Sequence, residues 1–275
     1  MDKSKQLQKI IKFTEQYIEE KAMKILGVIE PRNNESVELY IKRFYNPLYT
    51  LDTLKSQSEQ ELKIVLLKKM CHELQNYQAM PRAINFAGNK DNILKITEEK
   101  FKGENFDLYE KFKTCIQFKT KENKDNFAWR KYSDGLNGFI KFLQDCNKDE
   151  LISLLNINSE DICKCELLKK VKGLGPALLR DFLKELCRDD LIKDDVHIKV
   201  IGNELLGIDD NESFAKEFIE LCNSAGQSPY YVDKIFWLCC TGNFYKHSVI
   251  ITTMNNRSNF IEYIKGKTSK QTQND

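Results

Sequence analysis

The sequence predicts an all-α protein, and three observations predict it. Apolar residues recur at helical spacing along nearly the whole chain. Turn-forming residues are scarce, with 12 Gly and 5 Pro in 275 residues, where an all-β sandwich needs far more punctuation. No strict alternation of apolar and polar residues lasts beyond a few positions. Hydrophobic residues make up 41% and charged residues 31%, so a sizeable core can form beneath a wet surface. The 16 Phe, 11 Tyr and 2 Trp exclude a disordered chain. About ten short helices are expected.

Residues 5–26 read as a helix, because Leu7, Ile10, Ile11, Phe13, Tyr17, Ile18, Ala22 and Ile25 fall on one broad face. Asn33–Ser36 reads as a loop, and 60–73 as the next helical stretch. Gly88–Asp91, Lys102–Asn105 and Lys121–Asn126 are polar runs expected to be loops, and 136–144 is helical again. Glu166–Val171 is a short helix, and Lys172-Gly173-Leu174-Gly175 a tight turn whose two glycines are able to take positive φ. Pro176 stands where a helix places its first residue, and Leu178, Leu179, Phe182, Leu183 and Leu186 form the apolar stripe of that helix. After a break at Asp189-Asp190, another helix is expected from Asp194-Asp195 through Val200, Ile201, Leu205 and Leu206. Tyr230, Tyr231, Ile235, Phe236, Trp237 and Phe244 are expected in a core, Val249–Thr253 is a short β-branched run, and Lys267–Asp275 is expected to fray.

Charge and cysteine narrow the function classes. Lys and Arg number 43 against 41 Asp and Glu, so net charge does not announce a nucleic-acid binder. Lys111, Lys113, Lys119, Lys121, Lys124, Arg130 and Lys131 do form a local basic run against Glu122 and Asp125, and the tail from Arg257 is mainly basic. No apolar run approaches the roughly 20 residues of a membrane span, and the charged N-terminus does not resemble a signal peptide, so no membrane association and an intracellular location are expected. Nine cysteines in such a chain read as reduced thiols. Cys163-Lys164-Cys165 and Cys239-Cys240 lack zinc or iron–sulfur spacing, and there are only three His; no metal is expected.

Helix, Gly-x-Gly turn, helix makes a small anion site, with turn amides and the next helix dipole favouring negative charge. A phosphate is expected on Gly173–Gly175 with Lys172 beside it and Leu174 anchoring the turn; a plain helical hairpin is the alternative on these residues alone. Val171-Lys172-Gly173-Leu174-Gly175-Pro176 resembles the hairpin of the helix-hairpin-helix DNA glycosylases, the superfamily of endonuclease III, the 3-methyladenine glycosylases and 8-oxoguanine DNA glycosylase. Their hairpin, typically Leu-Pro-Gly-Val-Gly, is followed by an Asp-x-His-hydrophobic motif, matched here by Asp195-Val196-His197-Ile198, 22 residues after Gly173. The direct match covers about 30 residues.

The resemblance implies a two-lobed helical fold with the active site in the cleft between lobes. It assigns 36–190 to a central lobe containing the hairpin at about 166–188, and 1–35 with 191–266 to a second lobe. It implies a monomer that binds double-stranded DNA and rotates a damaged or modified base into a pocket. Asp195 corresponds to the catalytic aspartate, which stabilises cationic sugar and aligns water; it is also an ordinary N-cap residue. Lys172, Gly173, Leu174, Gly175, Pro176 and His197 are expected to touch DNA. Gln75 and Tyr77 are loosely similar to a DNA-facing helix junction, and Arg130 to a basic helix start. Ala177 stands where bifunctional members carry a lysine, which implies a monofunctional, water-using enzyme. The family's C-terminal four-cysteine cluster is missing, so no cofactor and no iron–sulfur cluster is expected. Two alternatives remain: a non-catalytic helix-hairpin-helix DNA-binding protein, and a glycosylase that attacks modified bases of phage DNA in defence.

Overall fold

The computed structural model describes residues 2–23, 36–75, 83–116, 124–244, 249–250 and 256–271. It is all-α apart from one two-residue antiparallel ribbon, β1 (Asn243–Phe244) with β2 (Val249–Ile250). Among the described residues there are fourteen α-helices, more than the ten expected. The chain divides into two compact units, one of residues 1–48 and 188–275, the other of residues 49–187.

The first unit holds α1 (Lys3–Ile18), α2 (Val37–Phe44), α11 (Val196–Leu206), α12 (Phe214–Ser224), α13 (Pro229–Thr241) and α14 (Asn256–Gln271). α1 is capped by Asp2 and buries Leu7, Ile10, Ile11 and Phe13; a single π-type turn, Glu19–Met23, follows it. Its polar face also works: Lys3 donates to Gly207 O at 3.0 Å, Gln6 to Leu205 O at 2.6 Å, and Gln8 to Ala225 O at 3.0 Å. These bonds satisfy carbonyls that α11 and α12 leave open at their C-termini. α13 starts on Ser228 with Pro229 at its first turn, and Tyr230, Tyr231, Ile235 and Phe236 are buried, as is Phe244, while Trp237 is half-buried.

Residues 36–48 were expected in the central lobe and instead belong with the chain termini. The physical reason is α2, whose buried Val37, Tyr40 and Ile41 pack on α1 and α13. The tail also departs from expectation, since α14 continues as helix through residues 267–271. Lys267 lies 5.1 Å from the Tyr263 ring centroid, and the Thr268 hydroxyl donates to Ile264 O, which hold that last turn.

The second unit holds α3 (Leu51–Ser56), α4 (Glu59–Leu74), α5 (Ala83–Phe101), α6 (Leu108–Ile116), α7 (Lys124–Asp145), α8 (Lys148–Leu155), a 3₁₀ turn (Ile162–Lys164), α9 (Leu167–Lys170) and α10 (Pro176–Leu186). Reciprocal capping boxes, Ser58 with Glu61 and Asn147 with Glu150, start α4 and α8. Gly88–Asp91 was expected as a loop but lies inside α5. Lys90 and Asp91 are simply its solvent face, while Ile93, Ile96 and Thr97 are buried. Lys124–Asn126 likewise opens α7 rather than ending a loop. Lys102–Asn105 is a turn, with Gly103 at φ 101°. The core centres on α4 and α7, where Leu66, Met70, Phe112, Trp129, Leu136, Phe139 and Phe182 are buried.

Candidate functional site

The hairpin lies in the second unit. α9 stops at Val171, whose backbone is extended, and Leu174 N–H closes the turn on Val171 O at 3.1 Å. Gly173 has φ 88°, the left-handed region where a side chain is strained. Gly175 does not: it is an extended N-cap with φ −99° and ψ 172°. The expected pair of positive-φ glycines is therefore one, because Pro176 forces the residue before it into extended conformation. Leu174 is buried and pins the turn. No side chain caps α10, and Pro176 has no amide to cap. The first-turn amides of Ala177 and Leu178 thus carry the helix's partial positive charge without a side-chain oxygen upon them.

The hairpin is seated on α7 by two residues that sequence reasoning missed. A Cβ on Gly135 would stand 2.5 Å from Lys172 O, and one on Gly138 2.2 Å from Lys170 O. Only glycine lets the hairpin backbone approach this closely. Gly135 also lies 3.1 Å, measured from the same ideal Cβ, from a Leu74 methyl group. The end of α4, where half-buried Gln75 is the C-cap, and the hairpin therefore meet α7 at one residue. Tyr77 lies outside the described residues. The Lys172 ammonium is not idle: it pairs with the exposed Asp134 carboxylate at 2.7 Å. Arg130 is exposed on α7 and stacks 4.5 Å from the Tyr109 ring centroid, whereas its neighbours Trp129 and Tyr132 are core. The missed signal was Gly135-Leu136-Asn137-Gly138, two glycines one helical turn apart in a helix that otherwise has no reason to carry them.

Asp195 lies in the first unit. Lys193 N–H is fixed on buried Asp233 Oδ2 at 2.9 Å, and Asp195 N–H turns back to Lys193 O at 2.7 Å. Asp195 is the extended N-cap of α11, and its Oδ1 accepts from His197 N–H at 2.8 Å and Ile198 N–H at 3.2 Å. Both bonds fall on one oxygen; among the described residues Oδ2 accepts none. Buried Ile198, Ile201 and Leu205 hold α11 down, and Gly202 admits the Phe214 ring so closely that a Cβ there would stand 2.6 Å from it. The carboxylate thus sits on a fixed helix start, half-buried, beside Val196, which is 60% exposed.

His197 is half-buried, and its Nδ1 is enclosed without a hydrogen-bond partner. Burial holds its imidazole below the ordinary histidine range; Asp195 opposes this, and the charges of Arg257 and Lys193 add to it. Arg257 reaches from α14 to Val196 O at 3.4 Å. Ala177 is half-buried and offers no amine, and Lys199 is engaged by Asp210 at 2.6 Å. Among the described residues no group of three or more His, Cys, Asp or Glu is placed to hold a metal. No helix of the described residues is long and apolar enough to cross a membrane. Chemically, the chain offers a fixed carboxylate with one unengaged oxygen, and a seated hairpin with uncapped helix amides.

No protein-family model, no curated protein and no solved structure matches the chain.

Proposed function

We propose that this chain is a monofunctional DNA glycosylase of the helix-hairpin-helix class. It takes a damaged or modified base out of duplex DNA and hydrolyses the N-glycosidic bond, leaving an abasic site. The observation that carries the reading is Asp195, a carboxylate fixed at a helix start with Oδ2 unengaged, 22 residues after Gly173 of a glycine hairpin. As the base departs with the bonding electrons, the sugar becomes cationic and the carboxylate stabilises it; water then adds at C1′, and its proton passes by way of the Asp195 carboxylate to the departed base anion. The uncapped first-turn amides of Ala177 and Leu178, with those of the turn glycines, hold a backbone phosphate, and Lys172 joins them by exchanging Asp134 for that phosphate. His197, Arg130, Gln75 and Tyr77 add DNA contacts. The enzyme acts as a monomer and needs no cofactor. Whether it repairs its own genome or attacks modified phage DNA follows from which base it accepts.

A second reading, a non-catalytic DNA-binding protein, is favoured by one observation: the two bonds to Asp195 Oδ1 are those of an ordinary N-cap. Asp195→Asn separates the two. Asparagine caps nearly as well but removes the charge, so DNA affinity should survive while base release falls by about two to four orders of magnitude. Duplexes carrying single defined lesions or modified bases, scored for abasic sites after alkali, give the readout. Wild-type product should be an unbroken strand, with no adduct trapped by borohydride, because Ala177 supplies no amine. Undiminished base release by Asp195→Asn would remove the assignment.

A further inference from the structure

We propose that Arg257 forms a phosphate subsite beside Asp195, taking the backbone phosphodiester next to the sugar that the carboxylate faces. This rests on the reading of Asp195 as the sugar-side carboxylate. Arg257 stands in the first turn of α14, a helix held by buried Phe260, Ile261 and Ile264 and tied at its start by Asn256 Nδ2 donating to Thr241 O at 3.2 Å. Its side chain is half-exposed and reaches the first residue of α11. The one bond it makes there, to Val196 O, is 3.4 Å long, beyond the 2.7–3.2 Å of a good hydrogen bond. A guanidinium has five donors in a fixed fork, so most of its capacity is unspent.

No carboxylate among the described residues pairs with Arg257. Its basic neighbours on α14 and α11 differ in this respect: Lys265 is paired with Glu204 and Lys199 with Asp210, at 2.7 and 2.6 Å. His197, beside this corner, feels the charges of Asp195, Arg257 and Lys193. Asp195 already spends Oδ1 on two amides, and Lys193 and Arg257 are like charges that both act on the His197 imidazole. An unneutralised guanidinium with a loose tether and a cationic neighbour is a site for an anion. The planar fork fits two oxygens of a phosphate at once. In a nucleotide the sugar and phosphate are bonded neighbours, so a group for each must lie close together; Arg257 bonds the carbonyl of Val196, the residue next to Asp195.

The test uses the full chain and a duplex bearing a tetrahydrofuran abasic analogue, with affinity measured by fluorescence anisotropy across a salt series. Removing one phosphate contact should lower the slope of log affinity against log salt by about 0.9. Arg257→Ala and Arg257→Gln should both show this, with weaker binding at low salt; Arg257→Lys should keep the slope and lose only part of the affinity. Glutamine retains most of the stem, so it serves if the alanine variant does not fold, and a purely structural role for Arg257 would not move the slope. Wild-type slope and affinity in folded Arg257→Gln would overturn the subsite. If wild type binds this duplex but releases no base from any substrate, the glycosylase reading falls while the slope still decides the subsite. A chain with no affinity for DNA overturns both.

Discussion

Gly173 and Gly175 are identical in sequence and opposite in what their backbones require. Gly173 is in the left-handed region, whereas Gly175 is extended with open space where a Cβ would go. Gly173→Ala should therefore cost about 1–2 kcal/mol, the penalty of left-handed backbone for an L residue. Gly175→Ala should be neutral or stabilising by up to about 1 kcal/mol, through a less flexible unfolded chain. Denaturant melts of the two variants check this directly; equal losses would mean that the turn takes another shape. The Gly-x-Gly pattern was legible as a turn, and Pro176 as a first helical residue. Which glycine carried the positive φ was legible too, had the constraint that proline imposes on its predecessor been applied. The engagement of Asp195 by two amides was equally readable from a capping residue before an apolar helix. The Lys172–Asp134 pair was not, because 38 positions separate the partners.

At the scale of elements, α7 explains why the hairpin has one position. Gly138→Ala would put a methyl group against Lys170 O, a backbone atom that cannot rotate away. The hairpin must lift, so we expect about 1–3 kcal/mol of destabilisation, the usual cost of overpacking, and weaker binding to every duplex regardless of sequence. Calorimetry with a non-specific duplex titration reads both. A Gly138→Ala protein as stable as wild type would deny the close approach. Helix existence was readable from periodicity, while helix ends that carry no proline or capping signal were not. Polar runs at Gly88–Asp91 and in the last residues read as breaks, yet a solvent-facing turn of helix is polar for the same reason as a loop. The join between α4 and α10 was invisible for a related reason. Lys69, Glu73, Asp181 and Lys184 are charged residues that read as surface, but they are mutually paired in the interior: Lys69 with Glu73, and Lys184 with Asp181 at 3.2 Å. Burial pulls the Lys69 ammonium down, and the nearby carboxylates of Glu73, Asp181 and Glu185 outweigh it, leaving its proton held more tightly than usual.

For the whole molecule, pH should reach stability through His72. Burial, with Lys90 and Lys69 adding, pushes its imidazole from the ordinary 6.5 down to about 4. Between those values the unfolded chain binds the proton and the folded chain does not, so folding weakens as pH falls from 6.5 toward 4 and changes no further from this group below it. Glu15 acts in the opposite direction: burial raises its carboxyl, which costs stability as pH rises. His72→Gln should therefore flatten the fall in melting temperature between pH 6.5 and 4 relative to wild type. Parallel melting curves for the two proteins would contradict it. The division into two units was not deducible from composition, because neither the basic run at 111–131 nor the basic tail marks a boundary. Its boundary shifted from expectation because α2 carries an apolar face fitted to α1 and α13.

The pairing of α1 with the far end of the chain bears on how the protein is made. Its partners α11 to α14 are synthesised only after residues 49–187, which form a unit of their own in between. At about 5–20 residues per second, α1 waits on the order of ten seconds at the ribosome with Leu7, Ile10, Ile11 and Phe13 uncovered. Residues 49–187 are free to fold first, from mostly local contacts, while α1 and α11 to α14 join later across a long loop. A nascent-chain proteolysis series should find residues 49–187 protected before residues 3–18. Holdase chaperones should then meet this protein at its N-terminal helix.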